Sequence, residues 1–135
     1  MDNRYAERAR ALVGTRFRAQ GRDAETGLDC AGLAIATFRL PCAQFRRDYR
    51  LRGDHERELT GVLERDFRRV PSAQRRPGDV MVLKVACDQL HLAIKTRGGF
   101  VHADAKLKRV VETPGNPRWE TIAVYRRRGR RSRGD

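Results

Sequence analysis

HLAIKTRGGFVHAD, residues 91–104, reads as a β-hairpin, because β-type residues run up to and away from a polar, glycine-containing turn at Thr96 to Gly99. With a loop of two or four residues centred between Arg97 and Gly98, position 93 faces position 102. His91 and His102 then project from the same face as diagonal neighbours. A three-residue loop would break this parity.

Similar short runs lie on both sides of the hairpin. The expected strands are Val80 to Val85, His91 to Lys95, Phe100 to Ala103, Arg109 to Glu112 and Thr121 to Tyr125. The first half of the chain has a helical texture instead. Asp2 or Asn3 can cap a helix whose apolar positions Tyr5, Ala6, Ala9, Leu12 and Val13 recur at helical spacing up to Gly14. GTRFRAQGRDAETG then has three glycines and no clean period, and reads as a loop. The apolar run Ala31 to Leu40 suits a second helix stopped at Pro41, with Cys30 at its N-terminus. After an arginine-rich connection, Asp54 can cap a third helix with Leu59, Val62, Leu63 and Phe67 on one face, closed by Pro71. Helices first and strands second predict an α+β domain with an antiparallel sheet.

The 135 residues suffice for one domain with its own core. The expected domain is 1–125, followed by a basic tail, 126–135, with six arginines and nothing to bury, read as disordered. No apolar run approaches the ~20 residues that cross a bilayer. MDNRYAERARAL lacks an apolar signal region, so synthesis in the cytoplasm without a signal peptide is expected. Cys30, Cys42 and Cys87 match neither a disulfide framework nor a zinc knuckle, and Cys42 and Cys87 are assigned to packing. Thirty Lys and Arg against 17 Asp and Glu give a net charge of +13, which favours partners rich in carboxylate or phosphate. No nucleic-acid reader motif accompanies the charge, so nucleic acid is not the expected primary partner.

A thiol at a helix N-terminus is placed to react, because unpaired N–H groups and the helix dipole favour the thiolate. The competing reading makes Cys30 a small buried hydrophobe. A nucleophile also needs a base. His55 falls in the first turn of a polar helix and reads as a surface residue. His91 and His102 share a sheet face, which suits a base and its orienting partner, the logic of a Cys-His-X triad, although spacing alone does not say which is which. As metal ligands the two lack a third and a fourth, and no metal or cofactor is expected.

These pieces resemble the NlpC-type papain-like cysteine peptidases that cut peptidoglycan stem peptides. The matching segments are GTRFRAQGRDAETGLDCAGL (14–33), RPGDVMVL (76–83), HLAI (91–94) and FVHAD (100–104), in the family's order and spacing. The likeness is strongest to compact members associated with phage tails and gene-transfer agents, in which a strand like RWETIAVYR recurs. The resemblance implies a papain-like α+β fold with Cys30 as nucleophile, His91 as general base and His102 as third triad member. It also implies cleavage beside a diaminopimelate or other acidic residue, typically of the γ-D-glutamyl bond, and delivery to the wall by a tail or virion with tail-hub proteins as partners.

Asp29 matches the acidic residue before the nucleophile, and capping the helix is its expected work. Many relatives have a tyrosine at the position of Phe17, whose hydroxyl helps at the oxyanion site. Without that donor, the Cys30 backbone N–H and Gln20 or another loop amide must serve. Arg18 and its neighbours in the 16–22 loop are placed to meet substrate carboxylates. Two alternatives stay open: an amidase or acyltransferase using the same site, and a structural tail-hub protein on a degenerate peptidase fold.

Overall fold

The computed structural model describes residues 3–18, 22–23, 27–40, 63–86 and 89–128. Its elements are α1 (Arg4–Ala11), β1 (Arg22–Asp23), β2 (Gly27–Leu28), α2 (Cys30–Phe38), β3 (Phe67–Val70), β4 (Val80–Ala86), β5 (Gln89–Lys95), β6 (Gly99–Asp104), β7 (Arg109–Pro114) and β8 (Glu120–Arg127). Strands β3 to β8 form a wholly antiparallel sheet in the order β3-β8-β4-β5-β6-β7. The fold is α+β, as the order of textures in the sequence predicts.

Alternation along each strand sorts its side chains onto two apolar faces. Val82, Leu92, Ile94 and Val101 pack with Leu33, Ala34 and Phe38 of α2. Met81, Leu83, Ala93, Phe100 and Val124 form a separate cluster with Trp119 against it. Helix α2 is buried almost all round, so its sequence shows an apolar run with no polar stripe. Phe38 fixes it laterally, with ring centroids 4.9 Å from both Tyr5 and Phe67.

Asn3 caps α1 by accepting the Tyr5 N–H at 2.6 Å. Helix α2 stops earlier than expected. Arg39 adopts the left-handed conformation (φ 56°), and the Leu40 N–H returns to the Ile35 carbonyl at 3.0 Å, so a left-handed cap closes the helix ahead of Pro41.

Further expectations need correction. Residues 63–66 are helical, but Phe67 begins a strand that pairs with β8 from Phe67↔Arg127 to Val70↔Val124. Phe67 and Val70, three apart, would share a helix face. In a strand they point to opposite faces, and they do belong to the two different clusters. The 14–27 segment is also more regular than a plain loop: β1 pairs with β2, and Phe17 bridges Leu28. The sheet runs into the segment read as tail, since Arg126 and Arg127 belong to β8. His55, Cys42, Cys87, Gln20 and residues 129–135 lie outside the described residues.

Candidate active site

The hairpin places its histidines as the parity argument requires. Its register is Ile94↔Val101 and Lys95↔Phe100, which carried one step further would set 93 against 102, and the Thr96 N–H donates to the Gly99 carbonyl at 2.9 Å. Gly99 is obligatory there, because a Cβ would collide with the Thr113 carbonyl oxygen. His91 Nε2 lies 2.9 Å from His102 Nδ1, a hydrogen bond with the rings edge to face. Trp119 stands over both, with centroids 6.1 and 5.9 Å away.

Beyond those two register pairs the ladder between β5 and β6 ends, while β4–β5 and β6–β7 stay paired along their length. The sheet therefore parts beside His91 and His102. Helix α2 packs against both strands. Cys30, its first residue, is buried in one core cluster with Leu90 and Leu92, which flank His91, and with Val101 and Ala103, which flank His102. The thiol-bearing helix end thus packs on the Leu92 and Val101 face of these strands, whereas alternation sets the two imidazoles with Ala93 and Phe100 on the side of Trp119.

Asp29 is the N-cap of α2, its Oδ1 accepting the Gly32 N–H at 2.8 Å. Asp29→Ala should cost about 1 kcal/mol, and Asp29→Ser should restore most of it, as read from urea unfolding midpoints. Phe17 packs against the core cluster through its ring. The backbone beside it joins the approach to Cys30: the Arg18 N–H donates to the Leu28 carbonyl (3.1 Å) and the Leu28 N–H to the Arg16 carbonyl (2.9 Å). The side chains of Arg16 and Arg18 are exposed.

Asp104 is the neighbour that the sequence analysis did not single out. Its Oδ2 lies 4.0 Å from His102 Nε2. The signal was present as His-x-Asp along one strand, since residues two apart share a face. Among the described residues, no group of three or more His, Cys, Asp and Glu is arranged to hold a metal ion.

Burial holds the His91 pKa down at about 4, with the His102 charge acting the same way and Asp104 opposing. His102 is 3% exposed, and burial lowers its pKa too, against the pull of Asp104. At neutral pH both rings are uncharged, the state in which an imidazole accepts a proton. The His91 shift also has a stability consequence. Between pH 6.5 and about 4 the unfolded chain binds a proton that folded His91 refuses, so stability rises with pH through this window. Wild type should lose up to about 3 kcal/mol more than His91→Gln on acidification from pH 7 to 4, measured by urea unfolding.

No protein-family model matches the sequence, and neither does any curated protein. Solved structures do match. The NlpC/p60 domain of the peptidoglycan hydrolase SagA superposes with a TM-score of 0.58 at 18% identity, over 82% of this chain and 86% of that one. The peptidoglycan hydrolase RipB from Mycobacterium tuberculosis gives 0.61 at 20% identity, over 91% of this chain and 62% of that one. The chain has the NlpC/p60 fold. The P60 domain of antigen MAP1204 from M. avium subspecies paratuberculosis agrees, with a TM-score of 0.59 at 20% identity and 91% coverage of both chains. Within the NlpC/p60 fold of this chain, the motifs 76–83, 91–94 and 100–104 occupy the lead into β4 with its first half, the core of β5 and the length of β6.

Proposed function

We propose that this chain is a cysteine peptidase that cleaves an amide bond in peptidoglycan stem peptides, typically the bond between γ-D-glutamate and diaminopimelate. The observation that carries the reading is the 2.9 Å His91–His102 hydrogen bond, made where the sheet parts and on the two strands that share a cluster with Cys30. His91 presents Nε2 to His102, which leaves Nδ1 as the nitrogen for the thiol. The solved structures with this fold include peptidoglycan hydrolases, which supports the substrate class.

In the proposed reaction His91 Nδ1 removes the Cys30 proton as the sulfur attacks the carbonyl. The same nitrogen then delivers that proton to the departing amine, leaving a thioester. Water, deprotonated by His91, hydrolyses the thioester and regenerates the thiol. The Cys30 backbone N–H is the proposed oxyanion donor, with Gln20 or another amide as the second in place of the hydroxyl that Phe17 lacks. The exposed Arg16 and Arg18, in a chain of net charge +13, suit a substrate rich in carboxylates. Action from a phage-like tail belongs to this proposal and rests on motif resemblance alone.

Mass spectrometry of diaminopimelate-type peptidoglycan after incubation with the protein tests the reading. New stem-peptide termini support it and their masses identify the bond. Intact peptidoglycan with folded protein, across several wall types, would replace it with the structural tail-hub alternative, which the core-packed ring of Phe17 favours.

A further inference from the structure

We infer that Asp104 is a positioning residue that sets the tautomers of both histidines, placing the His102 proton on Nε2 and thereby leaving the lone pair of His91 on Nδ1. The inference rests on the peptidase reading for its catalytic meaning, but the tautomers belong to the free protein.

Asp104, the last residue of β6, is held by backbone donors. Its Oδ1 accepts the Lys106 and Leu107 N–H groups at 2.8 and 3.0 Å, fixing the carboxylate at the start of the turn between β6 and β7. Its other oxygen, Oδ2, lies 4.0 Å from His102 Nε2. The two backbone donors and the neighbouring histidines outweigh burial and hold its carboxyl below the usual range, so it is an anion at neutral pH. An anion beside Nε2 favours a proton on that nitrogen and disfavours a lone pair there.

Among the described residues, Asp104 is the charged group that acts on His102. Phe100 and Trp119 are the other rings packed on it, and Val111 is opposite it on β7. Arg109 stands opposite Asp104 in the register and is exposed. With Nε2 protonated, His102 Nδ1 is an acceptor. The 2.9 Å contact then requires His91 to donate from Nε2, and a neutral imidazole that donates from Nε2 has its lone pair on Nδ1. When His91 takes the thiol proton, its Nε2–H remains bonded to His102, and Asp104 stays ionised throughout.

The test combines nitrogen-15 NMR of histidine-labelled free protein at pH 7 with steady-state kinetics. Wild type should show Nε2–H tautomers for both rings. Asp104→Asn keeps an oxygen for the turn but can offer an amide donor to His102 Nε2, so it should move the His102 proton to Nδ1. That variant should lose up to about 10⁴-fold in kcat at nearly constant KM, as when a triad imidazole is held in the wrong tautomer, and Asp104→Glu should recover part of the loss. An Nδ1–H tautomer of His102 in wild type would overturn the inference. So would an unchanged His102 tautomer in Asp104→Asn. An inactive wild type would refute the peptidase reading instead, while the ring tautomers would still decide the role of Asp104.

Discussion

Cys30→Ala should abolish cleavage of peptidoglycan while leaving the fold in place. Sulfur is the attacking atom in the proposed reaction, and removing a nucleophile of this kind costs about 10⁶-fold, down to whatever binding and oxyanion contacts supply alone. The substitution deletes one atom from a side chain that is 9% exposed, so its stability cost should be about 1 kcal/mol. His91→Ala should be nearly as severe, because thiol and base act as a unit and their losses do not add. His102→Ala should lose less, since it orients the base without carrying the proton. Release of stem peptides by the three variants, scored against their circular dichroism, measures all of this. Full activity of Cys30→Ala would end the peptidase proposal.

Asp79→Ala should instead act through the fold, lowering stability by about 3 kcal/mol. Asp79 is 2% exposed and holds the Arg126 guanidinium by two bonds, Nε to Oδ1 and Nη2 to Oδ2, both 2.9 Å. It also accepts the Arg76 N–H at 2.8 Å, closing the turn before β4. The hydrogen bond to Asp79 raises the Arg126 pKa against the effect of burial, so alanine leaves a charged guanidinium without its carboxylate. The double variant Asp79→Ala/Arg126→Ala should cost less than the sum of the two single changes, as a thermodynamic cycle from urea unfolding would read. Additive losses would mean that the pair is uncoupled.

This Asp79 anchor shows where the sequence stopped being legible. As part of Pro-Gly-Asp it signals only a turn, and its partner lies 47 positions away, in a segment whose composition suggested a tail. The hairpin was legible because parity and turn length are local and suffice to align His91 with His102. The N-cap role of Asp29 was legible for the same reason. Strand β3 was not, because Phe67 and Val70 fit a helical period until β8 supplies a pairing partner. Asp104 was within reach, two residues from His102 on the same strand, but its meaning depends on where the His102 ring points.

The two imidazoles belong to one 14-residue hairpin, and the thiol lies some 60 positions earlier in the chain. Hairpins close within microseconds, whereas joining distant segments waits for the topology of the whole sheet. During synthesis Cys30 emerges well before either histidine. On the proposed reading a nascent chain therefore exposes an ordinary thiol with no base beside it, and chemical competence arrives only when helix and hairpin dock. On that reading the site stays latent until helix and hairpin have docked.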